Sequence, residues 1–251
     1  MMNELKMFGI HGLPEVREGD DLAKLIISAL EKQGQKLEHK NIVVITSKIV
    51  SKAERRLVSV KDIEPSALAI QLSKSSDKTA NEIELILRES ASPVKITDHV
   101  LIMETKHGFI CANAGIDRSN IENQDMALLL PEDPDSTAAA IKQELEKHYK
   151  AELAVIISDT FGRPWRMGQT NVAIGVSGMP AIKDYTGQSD QYGYTLKATE
   201  IAIADQIAAA SELVMGKSDG IPIAVIKGYS YPEGNGSSKD LVRPRKMDLF
   251  R

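Results

Sequence analysis

Apolar positions recur along this chain with two different periods. In DDLAKLIISALEKQ, Leu22, Leu25, Ile26, Ala29 and Leu30 share one helical face, and Asp20 or Asp21 is placed to cap the first turn. TANEIELILRES (79–90) and STAAAIKQELEKHY (136–149) read as amphipathic helices, with Ser136 the expected cap of the second. The Ala-rich segment TLKATEIAIADQIAAASELVMG (195–216) predicts one long helix. Short apolar runs predict strands in NIVVIT (41–46), AELAVIIS (151–158), TNVAIGV (170–176) and IPIAVIKG (221–228). VLIMET (100–105) and FICAN (109–113) flank Lys106-His107-Gly108 and predict a hairpin.

Helices and strands alternate without the regularity of a doubly wound sheet. Together with the hairpin, this predicts an α+β or mixed-sheet α/β fold. KDYTGQSDQYGYT (183–195) and YPEGNGSSKD (231–240) are rich in Gly, Ser and Asp and predict loops. A chain of 251 residues has material for one large domain or for two interlocked smaller ones.

Composition narrows the function classes. With 42% hydrophobic and 26% charged residues, the chain is globular rather than disordered. A formal net charge of -4 argues against a general nucleic-acid or membrane binder, so an anionic ligand must be met by local Lys and Arg. Cys111 is the only cysteine, which rules out an intrachain disulfide and a Cys-based zinc site. MMNELKMFGIHG lacks the apolar core of a signal peptide, and no run has the length of a membrane span. The expectation is a cytoplasmic protein.

Three stretches carry candidate chemistry. AVIISDTFGRPWRMGQTNVAIGV places Asp159 and Thr160 at the carboxyl end of a strand, where ligand crevices open in α/β sheets. A carboxylate and a hydroxyl suit a hard cation, and Arg163 and Arg166 offer the fork that phosphate or carboxylate oxygens need. A polar turn with solvated arginines fits the same residues. NAGIDRSN leaves the FICA strand through Gly115 and crowds Asp117, Arg118, Ser119 and Asn120 into a turn, as a metal–phosphate site or as an Asx-turn. TSKIVSKAERR puts Lys48, Lys52 and Arg55 on one helical face directly after a strand, as a phosphate site or a solvated basic face.

Gly216-Lys217-Ser218 imitates the end of a P-loop, but Ser211 stands where that motif needs Gly, and a helix precedes it. His107 reads as a hairpin-turn surface residue before an acid–base or metal group, His11 as part of a Gly/Pro turn before a ligand-lining loop, and Trp165 as a packing anchor before a stacking platform for a heterocycle.

Taken together, GLPEVREGDDLA, VITSKIVSKAERR, HGFICANAGIDRSN, LLLPEDPD, IISDTFGRPWRMGQTNVAIGVSG, LVMGKSDGIP and RKMDLFR resemble one family over nearly the whole chain. It is the coenzyme F-420-0:L-glutamate ligase family of CofE-like γ-glutamyl ligases, and the expectation is the stand-alone form without a nitroreductase domain. The resemblance implies an α/β fold with mixed sheets, no P-loop and two interlocked subdomains, assembled as a homodimer. It implies addition of L-glutamate to coenzyme F-420-0, with GTP as co-substrate, Mg²⁺ or Mn²⁺ as metal, and K⁺ as a further cation.

Carried over by position, Asp117 and Asp159 match carboxylate ligands of a first metal, and Thr160 a ligand of a second. Leu13, Pro14, Glu15, Val16, Ser47, Lys48, Lys52 and Asn120 match guanine-nucleotide contacts. So do Met215, Gly216, Lys217, Ser218, Asp219, Gly220 and Ile221. Two positions depart from the pattern. Lys217 stands where archaeal members can carry a Glu on the second metal, and Tyr194 stands where the family motif leads one to expect Arg. Ligation of glutamate to another carboxylate, or guanine-nucleotide binding without catalysis, are the competing readings.

Overall fold

The computed structural model describes residues 4–119 and 125–249. Its strands are β1 (Lys6–Gly9), β2 (Asn41–Thr46), β3 (Leu57–Ser59), β4 (Ser90–Ile96), β5 (Leu101–Thr105) and β6 (Ile110–Ala112). They continue with β7 (Met126–Leu128), β8 (Leu153–Phe161), β9 (Thr170–Ser177), β10 (Lys183–Asp184), β11 (Glu200–Ile201) and β12 (Ile223–Lys227). The α-helices are α1 (Leu22–Lys32), α2 (Ser47–Ala53), α3 (Ala67–Ser73), α4 (Ala80–Arg88), α5 (Pro134–Tyr149) and α6 (Ile203–Met215).

The principal sheet has the order β1-β12-β2-β8-β9, and only its β2–β8 pair is parallel. Both faces are covered, which explains why its strands read as unbroken apolar runs rather than alternating ones. Val43, Ile45, Val155 and Ile157 pack toward Ile26 and Leu30 of α1 and Leu145 of α5. Ile42, Val44, Ala154 and Ile156 pack toward Ala204, Ile207 and Ala208 of α6. Each such side chain withdrawn from water contributes about 1.5–3 kcal/mol before chain entropy is counted. Gly175 lets the start of α5 close on β9, because a Cβ there would lie 2.5 Å from the Pro134 carbonyl oxygen.

A second layer holds the three-stranded sheet β4-β5-β6, where Leu101 and Met103 pack with Ile83 and Ile86 of α4. The β5–β6 hairpin forms as its pattern predicts. The short pair β3–β7 is extended by a bridge between Asp117 and Leu128.

The mixed α/β character agrees with the sequence pattern, while several boundaries move. Asp21 caps α1 through its bond from the Lys24 N–H, and Thr79 closes a reciprocal capping box with Glu82 on α4. The cap of α5 is Asp133, not Ser136, because Pro134 takes the first helical position and Asp133 Oδ1 accepts from the Ser136 N–H at 3.1 Å. The helix expected from 195 starts only at Ile203. Glu200–Ile201 instead pairs with Lys183–Asp184, so the predicted 183–195 loop begins as a β-ribbon. Arg55 has φ 62 beyond the end of α2 and turns to Glu18 at 3.0 Å, leaving the face shared by Lys48 and Lys52. Trp165 is 76% exposed, so it does not anchor the core. Among the described residues no helix is long and apolar enough to cross a membrane.

Candidate active site

Because β2 and β8 run parallel, their carboxyl ends lie side by side, with Thr46 opposite Ser158. Beyond this point β2 passes into α2, while β8 continues through Asp159 and Thr160. A cavity of about 700 Å³ opens over this end of the sheet. Successive strand residues point to opposite faces, so Asp159 meets α2 while Thr160 turns toward α6.

On the α2 side, Ser47 Oγ donates to Asp159 Oδ1 at 2.8 Å. Asp117 arrives from the turn after β6 and is fixed by reciprocal backbone bonds with Leu128 at 3.0 and 2.8 Å. Its Oδ1 accepts from the Ser119 N–H at 2.7 Å, and Lys48 Nζ lies 2.6 Å from its Oδ2. Lys48 Nζ also donates to Ser119 Oγ at 2.7 Å. The carboxyl groups of these two residues are shifted in opposite directions. Burial pushes Asp159 above the usual carboxylate range, aided by the charge of Asp117 and opposed by the Ser47 and Thr160 bonds. Burial also acts on Asp117, but the Lys48 and Ser119 bonds outweigh it and hold that group low. Burial, with the Asp159 charge, pushes the Cys111 thiol up to about 12, so this cavity-lining cysteine is a thiol rather than a nucleophilic thiolate.

On the α6 side, Thr160 Oγ1 donates to Asn171 Oδ1 at 2.7 Å, and Asn171 Nδ2 donates to Glu212 Oε2 at 2.8 Å. Lys217 Nζ completes the group. It stands 2.7 Å from Thr160 Oγ1, 3.3 Å from Asn171 Oδ1 and 3.1 Å from Glu212 Oε1.

The family model described as F420-0:Gamma-glutamyl ligase matches residues 11–228, most of the chain. This chain belongs to that family. It is similar to the coenzyme F420:L-glutamate ligase of Methanothermobacter thermautotrophicus (strain Delta H), with 44% identity over 98% of this chain and 99% of the relative. The coenzyme F420:L-glutamate ligase of Methanocaldococcus jannaschii is 44% identical over 86% of each chain. That of Methanopyrus kandleri is 40% identical over 94% of each.

In this member of the ligase family, most of the residues singled out from sequence line this cavity. Asp117, Asp159, Thr160, Ser47, Lys48 and Lys52 line the cavity. Leu13, Pro14, Glu15 and Val16 form another part of its wall, where Lys52 pairs with Glu15. Gly216, Lys217, Ser218, Gly220 and Ile221 line it from the turn after α6, whereas Met215 is buried and Asp219 accepts a bond from Ser218 Oγ at 3.3 Å. Arg163 and Arg166 stand outside the cavity lining, and Arg163 donates to the carbonyls of Met167 and Gly168 in its own loop. Asn120 lies outside the described residues.

His107 lies away from the cavity. Its Nε2 bonds the Pro131 and Glu132 carbonyls at 2.9 and 3.1 Å, and its ring stacks on Phe109. Asn171 and Glu212 were not singled out, although both line the cavity. Their only local signals are an amide inside an apolar strand and a carboxylate five residues before Lys217.

The donor chemistry fits one hard cation between Asp117 and Asp159, with the Ser47 hydroxyl nearby. Among the described residues no three His, Cys, Asp or Glu side chains converge on a metal position. An ion held here therefore takes most of its shell from ligand oxygens and water, as Mg²⁺ does at phosphate sites.

Proposed function

We propose that this chain ligates L-glutamate to coenzyme F-420-0, and then through a γ-linkage to F-420-1, using GTP. The observation that carries this reading is the convergence of Asp117 and Asp159 beside Lys48 and Lys52 on one cavity wall. Membership of a ligase family whose relatives are named for F420 and glutamate supports the choice of substrates.

Amide formation from a carboxylate needs a better leaving group than oxide or hydroxide. In the proposed first step, a carboxylate oxygen of the acceptor bonds to the γ-phosphorus of GTP as the bond to the bridging oxygen of GDP breaks. The glutamate amine then bonds to the acyl carbon of the resulting acyl phosphate. Phosphate leaves with its bonding electron pair, and the amine nitrogen loses its proton to solvent. Lys48 and Lys52 hold positive charge beside the phosphates, and their short helix keeps that charge oriented. The wall from Leu13 to Val16 and the turn from Gly216 to Ile221 bind the guanine nucleotide. Arg163 and Arg166, on the neighbouring loop, meet the acceptor or glutamate carboxylates once that loop exchanges its internal bonds for substrate. Asp117 and Asp159 would hold Mg²⁺ or Mn²⁺, which would supply charge neutralisation for phosphate transfer.

Incubation with F-420-0, GTP, Mn²⁺ and glutamate, followed by mass spectrometry, tests the proposal. It expects a glutamylated product and equimolar GDP. GDP without that product, or neither, overturns it, and product with a different carboxylate acceptor redirects it. The reading includes a cytoplasmic homodimer, whose mass light scattering measures directly.

A further inference from the structure

The α6 side of the cavity contains a cation that belongs to the chain. Lys217 Nζ has three oxygen neighbours of three kinds: the Thr160 hydroxyl at 2.7 Å, the Asn171 amide at 3.3 Å and the Glu212 carboxylate at 3.1 Å. An ammonium has three N–H donors, so this cage takes all of them. The cage is also internally complete. Asn171, only 3% exposed, spends its amide N–H on the other oxygen of Glu212 and its Oδ1 on Thr160. These bonds tie Thr160, Asn171 and Glu212 to one another around the ammonium, and Lys217 itself lines the cavity.

The same three oxygens are the donors a hard divalent ion would use at Thr160. A divalent ion would reach all three only by displacing the ammonium that bonds each of them, whereas Lys48 takes one oxygen of Asp117 and none of Asp159. We propose that Lys217 is a tethered cation in place of a second metal, and that Glu212 and Asn171 are its positioning residues. Lys217 then acts on an anionic ligand as fixed charge rather than as a hydrogen-bond donor. The single exchangeable metal is the one between Asp117 and Asp159. This rests on the functional reading of those two aspartates, but its test requires no turnover.

The experiment counts Mn²⁺ bound per chain by the electron paramagnetic resonance signal of free Mn²⁺, without nucleotide. Wild type is expected to bind one ion. Lys217→Met keeps an apolar stem of similar length and removes the ammonium, so it is expected to bind two. Lys217→Met combined with Glu212→Gln is expected to return to one. Equal counts for wild type and Lys217→Met overturn the proposal, as does a second ion that persists after Glu212→Gln. Asp159→Asn separates the two ideas. Loss of the wild-type ion there supports the first site, and its retention rejects the aspartate reading while leaving the Lys217 comparison intact. Lys217 is 62% exposed, and circular dichroism melting of each variant verifies the fold.

Discussion

The ammonium of Lys48 stands 2.6 Å from the carboxylate of Asp117, although one follows β2 and the other follows β6. Both side chains are about one-third exposed, so the pair lies in the screened regime where an ion pair adds about 0–1 kcal/mol to stability. Lys48→Met should therefore shift the melting temperature little. It should lower kcat/KM by on the order of 10²-fold, the usual cost of one preorganised charge contact. Steady-state kinetics beside a thermal melt reads both quantities. A large melting shift with unchanged kinetics would assign Lys48 to folding.

Asp159 accepts the Ser47 hydroxyl at 2.8 Å, and an asparagine oxygen can accept the same bond. Asp159→Asn should therefore fold, yet lose about 10²-fold or more in turnover, roughly 3 kcal/mol of transition-state stabilisation. Near-normal turnover by a folded variant would remove Asp159 from the mechanism.

Asp135 joins three segments at the start of α5. It accepts from the Val176 N–H at 2.7 Å, the Ser237 hydroxyl at 2.6 Å and the Ser238 N–H at 2.9 Å. Asp135→Ala leaves two part-buried backbone donors without this acceptor, and each costs about 1–3 kcal/mol. Urea unfolding should show a loss of about 2–4 kcal/mol, with m unchanged if the transition stays cooperative. A change below about 0.5 kcal/mol would mean that water replaces these bonds fully.

Glu84 links α4 to the cap of α3. Bonds from Ser66 and Arg88 pull its carboxyl down to about 2 from the ordinary 4.5. A depressed folded-state value means the stabilisation is complete above the unfolded value and is lost as pH falls through the folded one. The stability difference between wild type and Glu84→Gln should be constant above pH 4.5 and shrink between there and pH 2. Melting curves across that range check the sign; a difference that grows on acidification would contradict it.

Much of the secondary structure was legible because helix and strand periods are local. NIVVIT is β2 at both boundaries, and the Asp21 cap and the β5–β6 hairpin lie where the pattern places them. The failures have causes of two kinds, one local and the others set by contacts between segments. Pro134 moved the start of α5 upstream, and pairing of β10 with β11 kept the TLKATEIA segment before Ile203 out of the helix. Trp165 is exposed because its loop projects beyond the sheet, and neighbouring residues in sequence carry no record of that.

By itself the sequence determined the mixed α/β class, the family, and the short list of oxygen and cationic groups from which the site is assembled. Only the tertiary structure decided how these groups divide. Parallel pairing of β2 with β8 places Ser47 against Asp159, and the backbone pairing with Leu128 brings in Asp117. Strand alternation then sends Thr160 to the opposite side, toward Asn171, Glu212 and Lys217. Residue types and local periods are written along the chain, but distances between segments follow from which strands pair and in what register.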